Sequence, residues 1–254
     1  MDMQGKTIVI TGGGRGIGAA TAELCSQNGA NVIVADINKD WGEQVTEGIR
    51  NNGGEALFCE VDVTEEESVS EMIKFAVDSF GRLDSIVNNA ATIVVKKAAD
   101  ITAEEWARVI SVNLTGVFYG CKHAIRQFQA QGGGGSIVNI GSISAVVGLP
   151  EQAVYCASKG GVFQLTRQIA IDYAAENIRC NTVGPGSVDG EFLQIYLDGQ
   201  DDPAQAEKEV LANHPIGRLA APSEIAEVIM FLASDRSSFV TGGNLQTDGG
   251  YSAI

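Results

Sequence analysis

Short runs of β-branched and other apolar residues alternate along the chain with longer stretches whose apolar positions recur at helical spacing. The runs are KTIVIT, NVIVAD, EALFCEVD, DSIVNNA, GSIVNIGS and IRCNTVGPG. Their centres are apolar at nearly every position, the pattern of strands covered on both faces. Between them, GAATAELCSQNG and TEEESVSEMIKFAVDSFG carry apolar residues at helical intervals, and the second predicts a helix opened by a Thr64 cap and an acidic first turn. Strands alternating with helices predict an α/β fold, a doubly wound parallel sheet flanked by helices. GGNLQTDGG predicts a short seventh strand closing the sheet, and QGGGGS, residues 131 to 136, a flexible connector from helix to strand. Residues 187–215 are too long for an ordinary connection and predict a substrate lid.

Composition narrows the class. No linker-like break interrupts the 254 residues, so one domain over 1–254 is expected. Hydrophobic residues at 44% and charged residues at 19% suit a soluble protein with a sizeable core. No apolar run reaches the ~18 to 20 residues of a membrane span. The start, MDMQGKTIVI, has an acidic residue before its lysine and no signal-peptide layout, so a cytoplasmic location is expected. Five widely spaced cysteines without a CxxC pair argue against a disulfide framework and a zinc site, and two histidines leave little for a metal centre or a serine–histidine triad. A formal charge of −15 disfavours nucleic acid and anionic membrane surfaces as partners.

Two places carry candidate chemistry. In TIVITGGGRGIGAATAEL a glycine-rich turn joins the first strand to the first helix, where backbone N–H groups and the helix N-terminus can hold a pyrophosphate. Gly12, Gly16 and Gly18 are spaced G-x-x-x-G-x-G, which is neither the standard dinucleotide fingerprint nor a P-loop. Asp36 ends the second strand, where a carboxylate can accept hydrogen bonds from ribose hydroxyls and would repel a 2′-phosphate. NAD is therefore expected over NADP, although Arg15 in the turn could attract that phosphate. The second place is YCASKGG. A phenol titrating near pH ~10 is a poor base at neutrality, but Lys159 lies one helical turn beyond Tyr155 and could stabilise the ionised form.

Taken together, TGGGRGIG, Asp36, DVT at Asp62, NNAA at Asn88, Asn113, Ser142, YCASK and PG at Pro185 resemble, in order and spacing, the short-chain dehydrogenase/reductase family, and the similarity runs through TGGNLQTDGG near the end. The resemblance implies a Rossmann-type sheet of seven strands, a nicotinamide cofactor and a homotetramer. It implies that Gly12, Gly14, Arg15, Gly16, Ile17 and Gly18 form the pyrophosphate turn and that Asp62 and Val63 flank the adenine. Asn89 and Ala90 would line the ribose side, and Pro185, Gly186 and Val188 the nicotinamide. The implied catalytic set is Asn113, Ser142, Tyr155 and Lys159. Tyr155 exchanges the proton, Ser142 donates to the substrate oxygen, Lys159 lowers the tyrosine's pKa and holds the ribose, and Asn113 holds a water. Each also has a structural reading: Ser142 as a strand-end cap, Asn113 as a core amide, Lys159 as a solvated charge, Asn88 and Asn89 as ties between strands.

Some positions depart from the pattern or stay open. Ala91 replaces the usual glycine of NNAG, and Gly190 stands where a threonine is common. Gly160 and Gly161 inside a helix cost about 1 kcal/mol each relative to alanine, which close packing, between subunits or against the cofactor, could offset. Lys96 and Lys97 could attract an anionic substrate, Asp189 and Glu191 repel one, and His214 is expected on the far side of the lid. The expected activity is NAD-dependent interconversion of a small or cyclic secondary alcohol and its ketone, with a small-molecule substrate as partner. The alternatives are an NADPH-dependent 3-oxoacyl-carrier-protein reductase and a non-catalytic nucleotide-binding scaffold.

Overall fold

The computed structural model describes residues 3–253. Met1, Asp2 and Ile254, at the ends of the expected domain and of the stretch read for a leader, lie outside the described residues. Seven strands, β1 (Thr7–Thr11), β2 (Asn31–Asp36), β3 (Glu55–Glu60), β4 (Ser85–Asn88), β5 (Gly135–Ile140), β6 (Ile178–Pro185) and β7 (Asn244–Thr247), fall within the seven predicted runs. They pair in the order β3-β2-β1-β4-β5-β6-β7, and every pairing is parallel.

Period-two alternation sends successive side chains of a buried strand to opposite faces. Ile8, Ile10, Val32, Val34, Val87 and Val138 pack on one face with Ala22 and Cys25 of α1 (Gly16–Gln27) and Ile225 and Ile229 of α9 (Pro222–Ala233). Val9, Ile33, Ile86 and Ile137 pack on the other with α3 (Glu66–Phe80), α5 (Gly116–Gln131) and α6 (Ala153–Tyr173). Each such side chain contributes about 1.5–3 kcal/mol on leaving water. The remaining helices are α2 (Lys39–Asn51), α4 (Ala103–Ile110), α7 (Glu191–Asp198) and α8 (Pro203–Ala212).

Parallel pairing places all the strand C-termini along one edge, and the reversal of order beside β1 opens a crevice between β1 and β4. The glycine turn, Asn89, Ser142 and Gly186 follow β1, β4, β5 and β6 and so meet there.

Two local expectations need correction. The α3 cap is Glu65, with no side-chain cap bond. Thr64 Oγ instead donates to Asp62 Oδ1 at 2.7 Å, closing a turn before the helix begins. The connector before β5 is a defined turn, with Gly132, Gly133 and Gly134 at φ of 73°, 86° and 80°, a region that favours glycine. Residues 187–215 hold α7 and α8, and their base is tied where Ala220 donates to Ser187 O and accepts from Asp189 N. Among the described residues no helix is long and apolar enough to cross a membrane.

Candidate active site

The turn after β1 is shaped for a ligand that accepts hydrogen bonds. Gly12 and Gly16 have φ of 62° and 54°. A Cβ on Gly12 would sit 2.9 Å from Ala90 Cα, whereas one on Gly16 would project into open space. A Cβ on Gly18 would strike the Gly12 carbonyl, so this glycine lets α1 start directly beneath the turn. Arg15 is the N-cap of α1 and makes no side-chain cap bond, and the first turn, with Ile17, holds no acidic residue. An open helix N-terminus behind a bare backbone cradle fits the pyrophosphate of a dinucleotide.

Asp36 is 7% exposed. Its Oδ2 accepts from Gly14 N–H at 2.9 Å and its Oδ1 from Asn38 N–H at 2.9 Å. The carboxylate thus braces the glycine turn, and a carboxylate so placed retains lone pairs for further donors. Arg15 does not project freely. Its guanidinium lies 4.0 Å from the centre of the Trp41 ring, and its Nη2 is 2.5 Å from Glu191 Oε2 at the start of α7.

Across the crevice, Asn89 Nδ2 donates to the carbonyls of Thr11 and Gly12, both at 2.9 Å, and the Asn89 and Ala90 N–H groups donate to Thr11 Oγ. Asn88 Nδ2 donates to Asn139 Oδ1 at 2.8 Å, tying β4 to β5. Asp62 Oδ1 accepts from the Thr64 N–H and hydroxyl, and Val63 packs on Gly116 of α5. Pro185 ends β6 beside Thr247, and Val188 bridges to Ala220. Gly186 sits so tightly on Asp248 that a Cβ would lie 2.9 Å from its Cα.

Ser142, Tyr155 and Lys159 are all buried where β5 meets α6. Burial pushes the Tyr155 phenol well above its ordinary range, and hydrogen bonding with Ser142 opposes that rise. Burial pulls Lys159 down to about 8. Lys159 was expected to lower the tyrosine's pKa, and the structure does not bear that out: its Nζ donates to Ile140 O at 2.7 Å and lies 5.6 Å from the centre of the Tyr155 ring. Desolvation favours the neutral form of each group. Asn113 is fully buried in a π-helical turn, Ser111–Thr115, between α4 and α5. Its Oδ1 accepts from Thr92 N–H at 2.8 Å, and its Nδ2 donates to Thr92 O at 2.9 Å and Ser158 Oγ at 3.2 Å. The amide therefore pins the loop after β4 to α6.

Several side chains of the site carried no local signal. Phe192 on α7 stands edge-on to Tyr155, ring centres 6.4 Å apart, and Glu191 beside it holds Arg15. His214, expected on the far side of the lid, is instead 3% exposed at its base. Its Nδ1–H donates to Val210 O at 2.7 Å, and its Nε2 accepts from Ser187 N–H at 3.0 Å, so the neutral ring fastens α8 to the end of β6. Lys96 pairs with Glu105, the capping-box residue of α4, at 2.6 Å. Gly160 faces open space, whereas a Cβ on Gly161 would press on Leu114 at 2.9 Å.

Residues 12–252 match a protein-family model described as enoyl-(acyl carrier protein) reductase. The chain is 42% identical to cis-4-hydroxycyclohexanecarboxylate dehydrogenase of Sinomonas cyclohexanicum, over 98% of its own length and 97% of that protein. It is 41% identical to 2,5-dichloro-2,5-cyclohexadiene-1,4-diol dehydrogenase of Sphingobium indicum, over 100% and 99% of the two chains. Among solved structures, a short-chain type dehydrogenase/reductase from Mycobacterium marinum superposes with a TM-score of 0.94 at 34% identity, covering 100% of this chain and 98% of that one.

Proposed function

The chain belongs to the short-chain dehydrogenase/reductase family, and on that premise we propose that it is an NAD-dependent dehydrogenase that interconverts a cyclic secondary alcohol and its ketone. The observation that carries the proposal is the burial together of Ser142, Tyr155 and Lys159 where β5 meets α6, at the crevice edge of the sheet. A bound nicotinamide nucleotide supplies the acceptor for the hydride. The glycine turn from Gly12 to Gly18 holds its pyrophosphate. Asp36, Asp62, Val63, Asn89 and Ala90 line the adenosine and ribose, and Pro185, Gly186 and Val188 the nicotinamide end. Ser142 Oγ–H donates to the substrate oxygen; in oxidation Tyr155 Oη, having first lost its own proton to solvent, takes the substrate's hydroxyl proton, and in reduction the protonated phenol gives its proton to the forming alkoxide. Lys159 and Asn113 position this pair. Lys159 Nζ is anchored on Ile140 O, and Asn113 holds the loop that faces it.

Asp36 supports NAD, because a 2′-phosphate beside it would place two anions together. Both dehydrogenase relatives carry six-membered rings in their names, and the Phe192 ring against Tyr155 is a flat apolar wall suited to such a ring. Residues 187–215 act as the lid of a single domain. Five unpaired thiols support residence in the reducing cytoplasm.

Tyr155→Phe is expected to lower kcat for every responsive alcohol about 10²- to 10⁴-fold with little change in coenzyme affinity, and wild-type turnover by the variant would remove the assigned proton exchanger. A second reading is the NADPH-dependent 3-oxoacyl-carrier-protein reductase; the matching family description names a carrier-protein reductase too, but of an enoyl double bond rather than a ketone. Its carrier partner would be acidic, and the −15 charge of this chain opposes that docking. Turnover of a 3-oxoacyl thioester with NADPH and of no cyclic alcohol with NAD would favour it.

A further inference from the structure

Arg15 is the cation of the coenzyme turn itself, and Lys39, three residues beyond Asp36, pairs with Glu43 at 3.7 Å. Arg15 follows Gly14, whose N–H donates to Asp36, and it stacks on Trp41 two residues into α2. Taken alone it is a ready phosphate receptor, since guanidinium binds phosphate oxygens in a fixed fork. Its charge is not left free, however. Glu191, the first residue of α7, reaches across from the lid and places a carboxylate oxygen 2.5 Å from Nη2.

We propose that Glu191 is a coenzyme-selectivity residue acting through Arg15: by neutralising and orienting that guanidinium it withholds a cation that a 2′-phosphate could use. With Glu191 in place a 2′-phosphate meets Asp36 and a guanidinium already engaged by a carboxylate; without it the same phosphate meets a free guanidinium held flat on Trp41. The same start of α7 that meets Arg15 through Glu191 sets Phe192, the next residue, edge-on to Tyr155. This inference rests on the dehydrogenase reading above and adds to it a selectivity determinant outside the residues that bind the ribose.

The test is a cycle of Glu191→Gln, Arg15→Gln and the double variant, with the dissociation constants of the coenzyme-free proteins for NAD and NADP read by calorimetry beside kcat/KM for the two coenzymes on one cyclic alcohol. An exposed pair with both side chains more than two-fifths accessible is worth up to about 1 kcal/mol, so Glu191→Gln should raise the NADP-to-NAD ratio about fivefold. The shift should be absent when Arg15 is already Gln, and Glu191→Asp should restore most of the wild-type ratio. An unchanged ratio in Glu191→Gln, or an equal shift in the Arg15→Gln background, overturns the proposal. If the wild type itself prefers NADP, the NAD reading fails, while the cycle still reports whether Glu191 acts through Arg15.

Discussion

Lys159 shows how a single buried charge links chemistry to stability. The folded protein releases its proton near pH 8, whereas the unfolded chain does so only near its ordinary value of about 10.4. Between those values unfolding takes up a proton, so stability rises with pH across the window. Tyr155 acts above it in the opposite sense. Its folded pKa is raised, so unfolding releases a proton once pH passes about 10 and stability then falls. Urea midpoints of the wild type should therefore climb from pH 8 to 10 by as much as about 1.4 kcal/mol per unit, and Lys159→Met should flatten that climb. A parallel rise in both proteins would mean that another group titrates there. Tyr155→Phe should leave the climb intact while removing turnover, which separates the two residues.

At the scale of elements, the π-helical turn between α4 and α5 is the joint that sets the site. An inserted residue shifts the face that a helix presents, and here the turn turns Asn113 inward to hold both backbone groups of Thr92. Asn113→Ala should leave buried donors and acceptors unpaired at about 1–3 kcal/mol each, read as a lower urea midpoint, and should lower kcat because the loop beside Tyr155 loses its pin. Unchanged stability would mean that the loop is held by something other than this amide. The lid is fastened in a similar way, by His214 between Val210 and Ser187 and by Ala220 between Ser187 and Asp189.

At the scale of the molecule, Phe118 on α5 and Ile171 on α6 are 44% and 76% exposed, and Gly160 on α6 faces open space. We propose that these surfaces are covered in a homotetramer, the assembly that the family resemblance implies. Light scattering is expected to give four times the 26.6 kDa of one chain, and a monomer mass would set that expectation aside. Much of this architecture was legible in the chain. The seven strand runs, the glycine turn and the Tyr155–Lys159 spacing are local patterns, and burial of Val9, Ile33 and Ile137 on one face and of Ile8, Val32 and Val138 on the other follows from the apolar runs of a covered parallel sheet. Local chemistry was less reliable at a cap, where Asp62 captured the hydroxyl of Thr64, and it could not tell where His214 would lie. By itself the sequence determined which segments become strands, which turn can face a dinucleotide and which residue types are on hand for proton exchange, because those depend on neighbours a few residues away. Only the tertiary structure decided that Lys159 points to Ile140, that Phe192 covers Tyr155 and that Glu191 holds Arg15. Those contacts join parts of the chain whose approach is set by sheet order and by competition for buried donors and acceptors, and no local pattern encodes that competition.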